Sequence, residues 1–477
     1  MPELRCRSCL RTYPLDHPTT VCSVCGSTLS VEYDYSSLKV SRKALDSRGF
    51  NQWRYLEVLP VEPGWRIVSL GEGGTFLHRC SKLNEVLGLR ELLIKDETTN
   101  PTGSFLDRGA SVALTRALRL KLNRVVCVST GNLGASLSAY SAKAGVECLI
   151  YVPLRVDLGK LYQMMAYGAD VRFTESLEEA QSKAARQQGY LVSAQDPFFL
   201  EGLKTTIWEV CNQLGWQAPD VVVMPMGSGG HVYMTWRGLK EMVELGVLSE
   251  VNTRIVGVQP RGCAPIVKAF EEGLSHVEPV EEVDTRLVDI GLKDPPHGDA
   301  ALEAIRSSGG YAVAVSDEEA LEAMKRLARL EGIFSEPAAS STIAGLAKLL
   351  DEGRIDRSER VVCVITGEGL KDPKTAASLA SSRAEKLLIS VKPQAKLGRT
   401  KLLILKTLLA RPLHGYGLLL RLKKAGLELK PPSLYQHLSE LEEMGLIRDI
   451  GVEVVRGRRR KIYEVTERGR RVLEGVS

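Results

Sequence analysis

Short runs of β-branched and other apolar residues recur along this chain, and longer segments of helical character separate them. Five such runs occupy residues 125–128, 147–152, 221–224, 255–258 and 361–365. Continuous apolar strands that alternate with amphipathic helices are typical of a parallel sheet covered on both faces. The pattern predicts a doubly wound α/β body and excludes a fibrous or disordered chain.

Three glycine-rich loops directly follow strands of this kind. They span residues 129–134, 226–231 and 366–372. Doubly wound sheets bind ligands beyond the carboxyl ends of their strands, where glycine lets a helix N-terminus approach a phosphate or a carboxylate. Each loop alone is a weak signal, because such a turn can serve only to pack a helix against the sheet.

Four of the ten cysteines form two Cys-x-x-Cys pairs separated by twelve residues, namely Cys6 with Cys9 and Cys22 with Cys25. Two thiolate pairs on tight turns complete a tetrahedral zinc site. We therefore predict a zinc ribbon over residues 1–40, with a structural metal because no coordination position stays open. A redox pair or free thiols is the alternative. The other six cysteines lie mostly in apolar runs, so a disulfide framework is not expected.

Further motifs appear in order around the glycine-rich loops. They read Gly-Glu-Gly-Gly-Thr at 71–75, Lys-Asp-Glu at 95–97, Asn-Pro-Thr-Gly-Ser-Phe at 100–105, Glu-Gly-Leu-Lys-Thr at 201–205 and Glu-Gly-Ile-Phe-Ser-Glu-Pro-Ala at 331–338. With these motifs the first 385 or so residues resemble threonine synthases, and more widely the tryptophan synthase β-like family of pyridoxal phosphate enzymes. The resemblance implies that the body, residues 41–388, has two α/β lobes.

The resemblance also implies a cofactor site. Asn132 would hydrogen-bond the 3′ hydroxyl of pyridoxal phosphate, and Thr366 would face its pyridine nitrogen. The cofactor phosphate would lie in the second glycine-rich loop, on Gly227, Ser228, Gly229 and Gly230.

The family's Schiff-base lysine is missing, because Leu106 occupies its place in the run Ser-Phe-Leu-Asp-Arg-Gly at 104–109. Leucine has no amine to bond the cofactor aldehyde or to move protons, a role worth about 10²- to 10⁴-fold in rate. We predict no catalytic residue and a non-covalent site for pyridoxal phosphate or a ligand like its amino-acid adduct. The alternatives are a decayed scaffold and an enzyme with a surrogate lysine, for which the family motifs offer Lys95, Lys204 and Lys371.

Four other positions depart from the family pattern, namely Phe76, Leu133, Asp196 and Glu368. Leu133 replaces a small hydroxyl residue where the family binds an amino-acid carboxylate. Asp196 replaces an asparagine, which predicts an anion near the place of a substrate phosphate, where like charge disfavours binding. These departures predict a changed pocket on an intact core.

The C-terminal part is basic. Residues 397–477 contain 17 Lys and Arg against 9 Asp and Glu, a net charge of +8, so the overall +5 leaves −3 for residues 1–396. A short polar stretch, 389–396, predicts a linker before it. Such asymmetry indicates an anionic partner for the basic part, and nucleic acid is the leading candidate. An ordinary solvated basic surface is the alternative.

The pattern of the tail is three helices and a hairpin. Leu434, Leu438 and Leu441 form the buried stripe of the third helix, and the hairpin turns at Gly457. The tail resembles the PadR family of transcriptional regulators over about 75 residues. The motifs that carry the resemblance include His-Gly-Tyr at 414–416 and Ser-Leu-Tyr at 433–435. Residues 397–477 are thus predicted to be a winged helix.

A winged helix places its third helix in the major groove and its wing against phosphates. The predicted DNA-binding residues are Ser433, Tyr435, Gln436 and His437 on the helix and Arg456, Arg458, Arg459, Arg460 and Lys461 on the wing, whose arginines are expected at the hairpin tip. A protein-docking role is the alternative for this domain.

Together these features predict a ligand-responsive transcriptional regulator that binds duplex DNA. Its effector would be pyridoxal phosphate, an amino acid or its adduct, or a phosphorylated amino-acid intermediate. The resembled enzymes are commonly homodimers, which implies a homodimer and a palindromic site. No apolar run is long enough to cross a membrane and no signal peptide is recognised, so a cytoplasmic location is expected. The alternatives are an active threonine synthase or related lyase with a regulatory tail, and a structural partner of a true synthase.

Overall fold

The computed structural model describes residues 2–153, 157–379, 398–427, 429–455 and 458–474. The chain divides into two compact units, Met1–Leu379 and Ala380–Ser477. The predicted linker at 389–396 lies outside the described residues. Within the described part, no helix combines the length and the apolar character needed to span a bilayer.

Strands and helices alternate through most of the first unit, after an all-strand start. Its strands are β1 Glu3–Cys6, β2 Thr12–Tyr13, β3 Leu29–Glu32, β4 Phe76–Arg79, β5 Glu91–Asp96, β6 Arg124–Val128, β7 Glu147–Pro153, β8 Asp170–Thr174, β9 Tyr190–Leu191, β10 Val221–Pro225, β11 Arg254–Pro260, β12 Tyr311–Val315 and β13 Arg360–Ile365. Its helices are α1 Arg42–Asp46, α2 Ser81–Leu87, α3 Leu106–Arg119, α4 Asn132–Ala144, α5 Leu158–Ala166, α6 Leu177–Ala185, α7 Pro197–Leu203, α8 Thr205–Gln213, α9 Gly230–Glu244, α10 Pro265–Glu271, α11 Gly298–Ser307, α12 Asp317–Glu331 and α13 Pro337–Asp351.

The N-terminal ribbon is a small antiparallel sheet in the order β2-β1-β3. Leu4 and Cys6 of β1 alternate with exposed residues, and with Leu29 and Val31 of β3 they turn inward. This apolar face joins a buried cluster that includes Phe198 of α7. The ribbon therefore packs on the body through its own side chains.

The body has two lobes, each built on its own sheet. The smaller lobe has a parallel sheet in the order β8-β7-β6-β9, and the larger lobe has the order β12-β11-β10-β13-β5-β4. All neighbours in the larger sheet are parallel except β4, which pairs antiparallel with β5 at one edge. All five predicted strands are present, and the doubly wound prediction is confirmed.

The second unit has the predicted winged-helix order. Its elements are α14 Arg399–Ala410, β14 Leu413–His414, α15 Gly415–Lys424, α16 Pro431–Glu443, β15 Ile447–Val455, β16 Arg458–Val465 and α17 Glu467–Glu474. The strands form a sheet in the order β14-β16-β15. Leu434, Leu438 and Leu441 of α16 are at most 1% exposed, which confirms that this stripe faces the core.

Candidate functional site

A cavity of about 500 Å³ lies where β6, β10 and β13 end, and residues of both lobes line it. Its wall includes five of the six predicted cofactor residues, namely Asn132, Gly227, Ser228, Gly229 and Thr366. The sixth, Gly230, begins α9 behind this wall, and a Cβ there would lie 2.8 Å from a methyl of Leu200. The parallel topology thus brings together loops that are far apart in the sequence.

The second glycine-rich loop forms a narrow cradle at the N-terminus of α9. Gly229 has φ of +81°, and a Cβ on it would lie 2.5 Å from the carbonyl oxygen of His297. Both the left-handed backbone and the close carbonyl require glycine there. The positive end of the helix dipole then faces the cavity, which suits an anionic group such as a phosphate.

Asn132 at the start of α4 is tied to the larger lobe. Its amide nitrogen donates a hydrogen bond of 2.7 Å to Glu336, while its amide oxygen is buried without a partner among the described residues. An unpaired buried acceptor is costly unless a ligand donates to it. The phosphate cradle and this acceptor fit pyridoxal phosphate, whose 3′ hydroxyl is a donor.

Behind the cavity wall lies an ion cluster that links the lobes. The ammonium of Lys160, on α5 of the smaller lobe, lies 2.6 Å from Asp289 and 2.8 Å from Glu336. Asp157 is 3.2 Å away, and the Lys160 side chain is fully buried. Asp289 and Glu336 line the cavity, and a Cβ on Gly131 would lie 3.8 Å from the Lys160 nitrogen. The cluster therefore adjoins the loop that carries Asn132.

Burial and the neighbouring charges together set the protonation of these groups. Burial raises the pKa of Glu336 to about 7, with Asp289 adding to the shift and Lys160 opposing it. For Lys160, burial lowers the pKa, but Asp289 and Glu336 outweigh it and hold the pKa above its ordinary value. Lys160 is consequently a stable cation near neutral pH. Burial also lowers the pKa of His231, another cavity residue, to about 3, so its imidazole is neutral.

Leu106 lies at the first position of α3 and lines the cavity. Among the described residues, the wall contains no lysine and no arginine. The lysines considered as surrogates are engaged elsewhere: Lys95 donates to Glu209 at 2.9 Å, Lys204 to Glu241 at 2.9 Å and Lys371 to the Thr102 carbonyl at 2.6 Å. None of these three amines lines the cavity.

The start of α3 is held by a buried ion network. The guanidinium of Arg108 lies 2.6 Å from Glu97 and 2.8 Å from Glu209, and all three side chains are fully buried. Asp107 accepts a hydrogen bond of 2.6 Å from the hydroxyl of Thr102. Asp107 and Arg108, which follow Leu106, thus have buried partners that fix the start of α3.

The other departures from the family pattern are not all in the pocket. Leu133 lines the cavity, whereas Phe76 is 61% exposed on β4 and Glu368 accepts from the Leu370 N–H at 3.0 Å. The prediction for Asp196 is wrong. Its carboxylate is buried, caps α7 by accepting from the Phe198 and Phe199 N–H groups, and accepts a short hydrogen bond from Tyr190. Asp196 is therefore a helix cap, not an anion facing the ligand.

The four ribbon cysteines converge. Their sulfur atoms all lie within 4.8 Å of one another, with Cys6 3.4 Å from Cys25 and Cys9 3.6 Å from Cys22. Metal–sulfur bonds of about 2.3 Å in a tetrahedron place sulfurs about 3.8 Å apart, so the residues fit a zinc ion. A hydrogen bond from the Tyr13 hydroxyl lowers the pKa of Cys22 to about 6, which favours the thiolate that binds metal.

On the winged helix, the predicted helix residues lie on the accessible side of α16. Tyr435 and Gln436 are exposed, and Ser433 and His437 are half-buried. The Gln436 amide donates to Glu440 at 3.1 Å, and His437 lies 3.6 Å from the same carboxylate. The polar face is therefore available, with Glu440 as its internal partner.

Three of the four arginines predicted at the hairpin tip begin β16. Arg458, Arg459 and Arg460 pair with Val455, Val454 and Glu453 of β15, and Arg458 lies in the last described pair of the hairpin. Arg456 and Gly457 lie outside the described residues, and only the backbone of Arg458 and Arg459 is described. The Arg460 guanidinium lies 4.6 Å from the centre of the exposed Tyr416 ring. Lys461 pairs with Asp449 at 3.0 Å.

Several site residues were not predicted from the sequence. Lys160, Asp289 and Glu336 come from three distant segments, and Phe199 and Leu200 of α7 complete the wall. For Lys160 the available signal was its spacing: it lies four residues before Met164 and therefore on the same, buried face of α5. Nothing local marks Asp289.

Comparison with known proteins matches both parts of the chain. Residues 68–367 match the family described as pyridoxal-phosphate dependent enzyme, and residues 404–475 match the transcriptional regulator PadR-like family. The chain is similar to threonine synthase of Methanocaldococcus jannaschii, with 47% identity over 380 residues, 78% of this chain and 93% of that protein. Threonine synthase of Methanosarcina acetivorans is 41% identical over 381 residues, 79% of this chain and 93% of that protein.

Among solved structures, the chain is similar to maize serine racemase, with a TM-score of 0.54 and 18% identity over 65% of this chain and 93% of that one. The processed threonine deaminase isoform 2 of Solanum lycopersicum gives a TM-score of 0.54 and 23% identity over 63% and 86%. At these identities the likeness shows the fold of the body.

Proposed function

The chain belongs to the pyridoxal-phosphate dependent enzyme family, is related to the threonine synthases, and carries a PadR-like domain at its C-terminus. We propose that it is a ligand-responsive transcriptional regulator. The body senses a ligand without transforming it, and the winged helix binds duplex DNA. The observation that carries the proposal is Leu106, a hydrocarbon side chain on the wall of a cavity in which no lysine is found among the described residues.

The cavity retains what is needed to hold pyridoxal phosphate. The cradle of Gly227, Ser228 and Gly229 would hold the phosphate, the unpaired oxygen of Asn132 would accept from the 3′ hydroxyl, and Thr366, also on the wall, would face the ring nitrogen. When bound, the group supplies an electron-withdrawing ring and an aldehyde. The residues of this chain bind and orient it, but Leu106 leaves the aldehyde uncaptured.

The rival function is an active threonine synthase with a regulatory tail, which needs a surrogate lysine. Lys160 is the lysine beside the Asn132 loop, yet its amine is paired with Asp289 and Glu336. A protonated, ion-paired amine is not a nucleophile, which favours the regulator.

Chemical trapping separates the two functions. The native protein and a Leu106→Lys variant are incubated with pyridoxal phosphate and reduced with borohydride, and their masses are measured by intact mass spectrometry. We expect peptide mapping to place a covalent cofactor at residue 106 of the variant and on no residue beside the cavity in the native chain. A label on Lys160 of the native protein, or repeated release of phosphate from O-phosphohomoserine, would establish the enzyme instead.

The DNA-binding part is tested by gel shift with genomic fragments at several salt concentrations. Neutralising the wing arginines, Arg458, Arg459 and Arg460, to glutamine is expected to weaken binding to every duplex and to flatten its salt dependence. Repeating the assay with pyridoxal phosphate tests whether a ligand changes the affinity, as coupling between two sites requires. Unchanged binding of the glutamine variant would mean that the wing does not contact DNA.

Three accompanying features belong to the same proposal. The cysteine cluster holds one structural zinc ion, since its sulfurs match a tetrahedral site. The body forms a homodimer that presents paired wings to a palindromic site, which sedimentation velocity tests. A regulator of this kind acts where the DNA is, and we place it in the cytoplasm.

A further inference from the structure

The wall of the ligand cavity is apolar on the side where the family keeps its reactive lysine. Leu106 and Leu133 line the cavity and pack against a buried cluster that includes Phe199, Leu200 and Leu203, which line it as well. All five side chains therefore combine contact with the cavity and packing in one apolar cluster. This cluster starts beside the phosphate cradle, because Leu200 lies against Gly230.

The charges on the wall are all negative. Among the described residues, its charged side chains are Asp289 and Glu336, and the Lys160 cation that pairs with both lies behind them. His231 is neutral at physiological pH, because burial lowers its pKa to about 3. Once the N-terminus of α4 holds the ligand's carboxylate, a second phosphate here would meet leucines and two carboxylates, and no cation among the described wall residues would replace its water.

We propose that the ligand recognised by this cavity is an α-amino acid with an apolar side chain, such as leucine or phenylalanine, and not a phosphorylated amino acid. The inference rests on the proposed function, because it names the ligand of the same sensor. The apolar side chain covers the surface of Leu106, Leu133 and Phe199. The ammonium of the amino acid suits Asp289 and Glu336, and its carboxylate suits the N-terminus of α4.

Two ligands carry this apolar side chain, amine and carboxylate: the free amino acid and its conjugate with the phosphopyridoxyl group. The conjugate also fills the cradle at Gly229, so we expect it to bind more tightly than the free amino acid. Stable reduced conjugates serve as probes, since they cannot hydrolyse or react.

Calorimetric titration of the full chain with three probes tests the inference. They are pyridoxamine phosphate, N-(5′-phosphopyridoxyl)-L-leucine and N-(5′-phosphopyridoxyl)-O-phospho-L-serine, each measured beside free leucine. Burying a leucine side chain predicts binding of the leucine conjugate about tenfold to a hundredfold tighter than pyridoxamine phosphate. The phosphoserine conjugate is expected to bind more weakly than either.

The outcomes separate the two proposals. If the leucine and phosphoserine conjugates bind equally, or the phosphoserine conjugate binds more tightly, the cavity does not select an apolar ligand. The proposed sensor function is then still supported, since pyridoxamine phosphate binds. If neither a phosphopyridoxyl compound nor free leucine binds, both the sensor and its apolar ligand are excluded. Binding of free leucine alone would identify the free amino acid as the source.

A variant at the cavity edge sharpens the test. Leu177 lines the cavity and is 49% exposed, so Leu177→Arg is compatible with folding. The added cation is expected to improve binding of the phosphoserine conjugate about fivefold relative to the leucine conjugate. Leu191→Arg is the matched control, because Leu191 is 44% exposed in the same lobe and does not line the cavity. The same ratio in both variants would count against the inference.

Discussion

Replacing Lys160 by methionine tests the ion cluster that joins the two lobes. The substitution keeps most of the side-chain volume and removes the cation that lies 2.6 Å from Asp289 and 2.8 Å from Glu336. The Glu336 side chain is only 4% exposed, so its charge loses its ion pair and keeps the hydrogen bond from Asn132, with almost no water to replace the cation. Breaking a buried pair from one side costs about 3–5 kcal/mol of unfolding free energy at pH 8.

The cost of Lys160→Met is expected to shrink in acid. Burial already raises the pKa of Glu336 to about 7, and losing the cation raises it further. At pH 5.5 the folded variant therefore holds a proton on Glu336 that the unfolded chain, with a carboxyl pKa of about 4.3, has largely released. Proton uptake by the folded state stabilises it as the pH falls. We expect a residual cost of about 1–2 kcal/mol at pH 5.5, the typical value for lost hydrogen bonds.

Urea unfolding followed by tryptophan fluorescence measures this cost for the body alone, because all five tryptophans lie before residue 379. Lys183→Met is the matched control. Lys183 pairs with Glu179 at 2.7 Å in the same lobe, but its side chain is 50% exposed, and exposed helix pairs contribute about 0.3–0.5 kcal/mol. A Lys160→Met loss no larger than that of Lys183→Met, or equal losses at pH 8 and pH 5.5, would show that the buried pair of Lys160 and Glu336 does not stabilise the body.

Three further predictions follow from the other sites. Cys9→Ser is expected to reduce bound zinc from about one ion per chain to a small fraction, as measured by metal analysis after dialysis, and normal zinc content would exclude the four-cysteine site. Gly229→Ala adds a Cβ 2.5 Å from the His297 carbonyl at a φ of +81°, so calorimetry should show pyridoxamine phosphate binding weakened by about tenfold or more; unchanged affinity would place the phosphate elsewhere. Gln436→Ala is expected to relax sequence preference at one base pair by about 1–3 kcal/mol in a competition gel shift, with little change in salt dependence, and a uniform loss across sequences would assign Gln436 to the backbone instead.

Local features of the sequence predicted most of the elements. The apolar runs at β6, β7, β10, β11 and β13 were recognisable because a strand buried on both faces needs no polar alternation. In β5 the apolar core Leu92-Leu93-Ile94 is only three residues long between charged neighbours, so it gave no such signal although it pairs with β13 inside the sheet. Pairing partners are chosen by packing over the whole sheet, which local periodicity does not encode.

The ribbon, the doubly wound body, the winged helix and the replacement of a reactive amine by Leu106 could all be predicted, because each depends on residue type at short spacing. The surroundings of that leucine depend on how the two lobes pack. The tertiary structure placed Lys160 between Asp289 and Glu336, and it turned Asp196 into the cap of α7. Charges that are 129 or more positions apart meet only after two lobes have packed, and whether a carboxylate faces a ligand or a helix N-terminus depends on that packing.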